Sequence, residues 1–238
     1  VKTSTASLEG FAPEMAIFSL PYLFRDADHY WRVLEGPVGK ELLGAPVPVG
    51  IRGLGYFDAG ARSFCTVSRP ILAPEDVRGL KLRVQPSRVA REFITTLGGG
   101  PTPIPWGELY AALQQRMVDR AENNPPSFVS SRHYEVARRL SLNKHTRPPD
   151  ILILSEKVRA GLEPRQRSRL GQATAEAGLF QRKLWAEKTE EALRVAREKG
   201  VTVHRPDRAP LAAASAGLLA GFESGPLGDY VRRIRERP

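Results

Sequence analysis

The run RPILAPEDVRGLKLRVQPS at residues 69–87, followed by LGGGPTPIPWGELYAALQQRMVDRAEN at 97–123, decides the reading of the fold. Pro74-Glu75-Asp76 opens a helical turn that Gly79 stops, and LKLRV (80–84) continues as a strand. Ser87 is placed to cap a helix whose Val89, Phe93 and Leu97 recur every four residues on one face. Gly98-Gly99-Gly100 ends that helix. Residues 101–105 (PTPIP) must be extended, because proline disfavours helix at the residue before it. Residues 106–118 read as helix again, with Leu109, Leu113 and Met117 on one stripe. Strand and helix alternate, which is the α/β pattern.

Working outward, MAIFSLPYLF (15–24) is apolar and broken by Pro21, so it reads as a buried extended segment entering a turn. Asp26 or Asp28 caps a helix that runs to about residue 43 with an interruption at Gly36-Pro37. Residues 47–58 and 63–68 are β-branched and short, hence strands. On the other side, Asn123-Asn124-Pro125-Pro126 breaks the chain. A short helix over 131–140 leads to a strand near 140–145, and ILIL (151–154) reads as a fully buried strand. From Pro164 to about Lys199 the spacing of Leu170, Ala173, Ala177, Phe180, Leu184 and Ala196 predicts one long helix. At about 1.5 Å per residue it would run some 50 Å, longer than a small domain is wide, so it is expected to cross between two lobes and to bend near Gly178. VTVH (201–204) is a last strand and PLGDYVRRIRER (226–237) a closing helix.

The chain has 238 residues, with 41% hydrophobic and 26% charged side chains, a globular composition. No apolar run approaches the roughly 18 residues of a membrane-spanning helix. The single cysteine, Cys65, excludes an intramolecular disulfide and a cysteine-based zinc cluster. Lys and Arg number 36 against 26 Asp and Glu, a formal charge of +10. That excess is not spread evenly: residues 1–58 carry a net −2, 59–148 a net +7 and 149–238 a net +5. In the last third, bases alternate with acids along a helix face, and no segment interleaves aromatics with basic residues as a single-strand binder does. Nucleic acid is therefore not expected as a partner. The positive middle third suits the attraction of small anions.

No phosphate-binding loop, HExxH or GxSxG motif is present. His29, His133, His145 and His204 are scattered, with no short-range metal-ligand pair. No metal and no cofactor is expected. Three residues of the positive third stand next to breaks in regular structure. Arg83 alternates with Leu82 and Val84, so it points away from the face they bury. Trp106 follows Pro105 at a helix start, and Asn123 sits where a strand meets two prolines. An isolated strand arginine is ordinarily a surface residue, a lone tryptophan ordinarily core, and such an asparagine ordinarily a turn former. Together they would suit a small carboxylic acid, since guanidinium is a planar fork that meets carboxylate with two parallel hydrogen bonds. Spacing alone does not bring them together.

The quoted runs, with SLPYLFRDADHYWRVLEGPVGKELL (19–43) and HYEVARRLSLNKH (133–145), resemble the DctP-like periplasmic solute-binding subunits of tripartite ATP-independent (TRAP) transporters over nearly the whole chain. The combination of Pro-x-Asp-hydrophobic-x-Gly-Leu-Lys-hydrophobic-Arg-Val, Pro-Thr-Pro and Glu-x-Tyr-x-Ala-Leu-Gln carries the resemblance. It implies an α/β, two-lobe periplasmic-binding-protein-like fold with a long helix shared between lobes. Lobe one would comprise 1–60 and 149–188, and lobe two 61–148 and 189–238. It implies capture of a small organic acid, delivered by lobe closure to the TRAP membrane permease subunits, with no chemistry done on it. Arg83 matches the family's carboxylate-binding arginine, Asn123 the asparagine of a Glu-Asn pair, Trp106 a ligand-contacting aromatic, and Arg62 a second arginine of some members. A periplasmic monomer is expected.

Two departures stand out. The family's Val-Asp-Gly-x-Glu-Asn is here Val118-Asp119-Arg120-Ala121-Glu122-Asn123, and Arg120 in place of glycine would not tolerate a left-handed backbone. The family's signal peptide and first elements of lobe one are not seen, so lobe one is expected to be incomplete, with an open sheet edge. The rival readings are an enzyme on a carboxylic acid, with Arg83 as anchor and Glu122 or His133 as acid or base, and a basic anion- or nucleic-acid-binding module.

Overall fold

A computed structural model describes residues 1–238. Its strands are β1 (Lys2–Ser4), β2 (Ile51–Phe57), β3 (Arg62–Thr66), β4 (Lys81–Val84), β5 (Gly100–Pro103), β6 (Arg120–Asn123), β7 (Arg139–Thr146), β8 (Asp150–Ser155) and β9 (Thr202–His204). Its α-helices are α1 (Ala27–Glu35), α2 (Pro37–Leu42), α3 (Arg88–Thr96), α4 (Leu109–Gln114), α5 (Pro125–Ser130), α6 (Glu156–Ala160), α7 (Pro164–Glu198), α8 (Ala209–Glu223) and α9 (Gly228–Glu236). The strands form two sheets, β1-β8-β2 and β5-β4-β6-β3-β7-β9. The small sheet is antiparallel; the large one pairs β4 parallel to β5 and β6, and β3 antiparallel to β6 and β7. The architecture is the α/β one expected. No helix is long and apolar enough to cross a membrane.

The chain passes between the sheets at 58–61 and at 147–149, and both passages meet the larger sheet at the ends of its neighbouring interior strands β3 and β7. One core lies against the small sheet and holds Met15, Phe18, Tyr30, Trp31 and Leu42. The other two cover opposite faces of the large sheet, one around Cys65, Ala121 and Phe128, the other around Phe64, Leu82, Val84 and Phe93. Val231 and Ile234 of α9 pack in the first core, while Leu211 of α8 packs beside Phe64. The stretch 189–238 thus contributes side chains to both sides of the molecule.

Local chemistry explains most boundaries. Asp26 accepts from the His29 amide at 2.7 Å and starts α1, and Ser87 accepts from the Ala90 amide at 3.0 Å and starts α3. Gly79, at φ +71°, turns the chain into β4 as only glycine does without strain.

Several expectations are corrected. Pro13–Ser19 is a 3-10 helix, not extended chain, though Met15 to Ser19 are buried. The helix expected over 106–118 ends at Gln114; Arg116 is left-handed at φ 55°, which turns Met117 out to 61% exposure. Pro125 and Pro126 start a helix instead of breaking the chain, because Asn124 accepts from the Ser127 amide at 2.8 Å and proline suits the first helical turn. Over 131–140 only His133–Glu135 is helical, as a 3-10 turn. In β8 only Ile151 is fully buried. Along the 35-residue α7 the buried side is Thr174, Ala192, Leu193 and Ala196, while Phe180 and Leu184 face outward. Gly178 is no break: α7 is continuous there, and a Cβ at Gly178 would stand 3.3 Å from the Tyr56 carbonyl.

Candidate functional site

The site is set by strand register. Arg83 stands opposite Ala121, which stands opposite Cys65, so these three side chains share one face of the large sheet. Asn123, two residues beyond Ala121, shares that face. Glu122 stands opposite Phe64 and, with Arg62, takes the other face. Arg83, Asn123 and Arg62 are therefore gathered at one end of β4, β6 and β3, but on both faces, and Trp106 lies off the sheet beside Arg83.

Arg83 does not lie on the surface: it is 2% exposed. Its Nε donates to the Ile104 carbonyl at 2.9 Å, and its Nη1 has no acceptor. The guanidinium carbon is 5.8 Å from the Trp106 ring centre. Burial lowers the Arg83 pKa to about 10, and the charge of Glu122 works against that fall. The group stays cationic at neutral pH. A buried cation with an uncommitted N–H is costly, and an anion placed there relieves the cost.

Trp106 is 45% exposed, and its ring meets His133 edge-on at 5.1 Å. His133 is buried, with Nδ1 unpartnered; burial, then the nearby Arg83 charge, pulls its pKa down to about 4. The imidazole is neutral at pH 7. Asn123 is buried too: Oδ1 accepts from the Asn124 amide at 2.9 Å, and Nδ2 has no partner. Arg83, Trp106 and His133 thus form a contiguous group, with Asn123 on the same face of the sheet. It offers uncommitted N–H donors and an aromatic wall, which is what a polar anion needs.

Arg62 is engaged differently. Its Nε is ion-paired with the Glu122 carboxylate and its Nη2 donates to the Glu122 carbonyl at 2.7 Å. His145 Nε2 lies 4.0 Å from the same carboxylate, and its ring stacks on Phe64 and Phe93 at 4.5 and 5.2 Å. Burial, then Arg62, lowers the His145 pKa to about 3. One Glu122 oxygen remains free of hydrogen bonds. Arg120 is plain strand and has no positive φ, so the replaced glycine imposes no strain. It lies three residues, about 10 Å, from Asn123.

Glu9 was not singled out by sequence reading. It is 8% exposed and accepts from Ser19 Oγ at 2.6 Å, from Ser87 Oγ at 2.7 Å and from the Arg88 amide at 3.0 Å. Ser19 packs with the first core, whereas Ser87 and Arg88 begin α3 beside the large sheet. The only hint in the sequence is an acid set between Leu8 and Gly10 ahead of an apolar run.

The chain belongs to the bacterial extracellular solute-binding protein family 7, DctP, whose pattern matches residues 1–224. It is 33% identical over 195 residues to the 2,3-diketo-L-gulonate-binding periplasmic protein YiaO of Escherichia coli K12, covering 82% of this chain and 59% of that protein. A TRAP periplasmic solute-binding protein from Xanthobacter autotrophicus Py2, solved with bound β-D-galacturonate, superposes with a TM-score of 0.95 at 34% identity, covering 100% of this chain and 80% of that one. One from Polaromonas sp. JS666, bound to D-erythronate, gives 0.96 at 33% identity, with 100% and 78% covered. The chain spans between 58% and 69% of the length of four curated relatives it matches.

Proposed function

We propose that this chain is an extracytoplasmic, periplasmic receptor for a small polyhydroxy carboxylic acid, which it hands unchanged to TRAP-type membrane permease subunits. Arg83 grips the carboxylate, Asn123 donates to a second oxygen, and Trp106 walls the site. Arg62 acts through Glu122, holding the edge of the site in place. The carrying observation is the buried Arg83 guanidinium with its unanswered Nη1 beside Trp106. The sugar acids bound by the Xanthobacter and Polaromonas proteins support the substrate class. Residues 1–60 with 149–188, and 61–148 with 189–238, are the proposed lobes, with α9 of the second reaching back to pack in the core of the first, and an acid touching both favours the closed state by its differential affinity. The protein acts as a monomer.

Calorimetric titration with D-galacturonate tests this. Arg83→Lys keeps the charge and loses the fork, and each charged hydrogen bond is worth about 1.5–3 kcal/mol, so at least a tenfold loss of affinity is expected. Unchanged affinity in Arg83→Lys overturns the assignment. Depletion of the titrated acid, with a new product, would favour the enzyme reading instead.

A further inference from the structure

A second group of cations lies beyond the Arg62–Glu122 pair. A cavity of about 200 Å³ is lined by Tyr22, Arg25, Lys144, Arg147 and Arg208, with Asp26 the sole acid in its wall. Arg25 donates to the Arg235 and Arg237 carbonyls, and the Asp26 carboxylate caps α1, so both are occupied. Arg147 holds Asp58 through Nη2 at 3.0 Å and lies 4.7 Å over the Tyr30 ring, but leaves its buried Nε without an acceptor. Arg208 lies 5.4 Å over the Tyr22 ring, pairs with no acid, and also leaves Nε unpartnered. Lys144 makes no ion pair; burial, then the charges of Arg208, Arg205 and Arg147, lower its pKa, and the charge of Glu190 opposes them only in part. Like charges do not gather without cost unless something answers them.

The backbone here is held in a costly shape. Tyr22 and Lys144 are both left-handed, at φ 54° and 49°, although neither is glycine. They are clamped together: the Tyr22 amide donates to the His145 carbonyl at 2.9 Å, and its hydroxyl to the Asn143 carbonyl at 3.4 Å. Lys144 therefore stands at the crest of a bulge in β7, where the register with β3 shifts. Bulges and left-handed side-chain-bearing residues that persist in a fold mark places where a side chain is re-aimed for use.

We propose that this cavity is a second anion site, which takes a small tetrahedral oxyanion of the phosphate class between Lys144, Arg147 and Arg208. Its wall includes Leu20 and residues 22–27 from the small-sheet side, Ala61 from one chain passage, and Thr146 and Arg147 at the other. His145 and Thr146 also line the cavity that contains Arg62 and Glu122. An anion here bridges the two sides of the molecule next to the passages about which they would move. The site draws on none of the groups assigned to the acid, so it stands whether or not that assignment does.

Inorganic phosphate is the probe, titrated by calorimetry and by 31P NMR line width, with ionic strength held constant by sodium chloride. The unaltered chain is expected to bind one phosphate saturably. Lys144→Met and Arg208→Gln are each expected to weaken it at least tenfold, while Arg83→Lys and the exposed Arg165→Gln leave it unchanged. Circular dichroism checks each fold, and either cavity variant alone decides should the other not fold. No saturable binding, equal weakening in Arg165→Gln, or loss confined to Arg83→Lys would overturn the proposal, the last by placing phosphate in the acid site.

Discussion

The Glu9 carboxylate meets the Ser87 hydroxyl at 2.7 Å across 78 residues of sequence, and Ser87 in turn caps α3. One acid from beside the small sheet thereby closes on the start of a helix that serves the large one. Val89, next along α3, is buried in the first core, so the contact has an apolar backing. Glu9→Ala removes three hydrogen bonds at once. A loss of about 1–3 kcal/mol is expected in urea unfolding. A midpoint and slope identical to the parent would show that the junction is not held there.

The same carboxyl sets a pH dependence. Burial raises the Glu9 pKa above its ordinary 4.5. The folded state therefore binds this proton more readily, and its contribution is full below about pH 4.5 and declines as pH rises through the raised value. His133 and His145 act in the opposite sense. Their folded values, about 4 and about 3, lie below the ordinary 6.5, so their contribution is full above pH 6.5 and is lost as pH falls toward those values. Two groups of this sign outweigh one of the other in that window. Unfolding free energy is expected to drop between pH 6.5 and 4.5, less steeply in His145→Gln; equal slopes in parent and variant would refute the assignment.

Glu122→Gln leaves the Arg62 guanidinium buried without its counter-charge. Breaking a buried pair from one side costs about 3 kcal/mol or more, and the unfolding midpoint should fall accordingly. Restoration in the double variant Glu122→Gln, Arg62→Met would identify the stranded charge as the cause. A single variant as stable as the parent would show the pair to be dispensable.

Trp106 is half open to water, so Trp106→Phe should change stability by less than about 1 kcal/mol. It should nevertheless reduce the tryptophan fluorescence response to D-galacturonate, leaving whatever part Trp185 reports from its place against Gly60. A response of full size in the variant would remove Trp106 from the site.

Alternation and capping were legible in the sequence wherever one side chain type forced one geometry. Leu82 and Val84 are buried as a pair, Ser87 caps its helix, and Val89, Phe93 and Leu97 face inward as spaced. Arg83 shows where alternation stops informing: it does oppose Leu82 and Val84, yet it is buried, because a second core covers its face as well. Along α7 the apolar spacing does not mark the buried side, for a related reason. Trp185 and Gln181 turn toward the body, with Gln181 bonded to Asp58, and polar contacts of that kind leave no apolar period. Ala209–Glu223 escaped notice since its alanine-rich run is apolar around most of its circumference and presents no contrast. Glu9 could not be found by motif, because its meaning lies in two serines distant in the chain.

α7 rests on β2 at one end and reaches β9 near the other. A single rod fixed to both sheets acts as a splint. In the lobe closure proposed above, such a splint would keep the halves from drifting apart and turn their separation into torsion, taken up where the backbone crosses at 58–61 and 147–149. Gly60, left-handed at φ +66° and packed against Trp185 of that rod, sits where such a twist would be felt first.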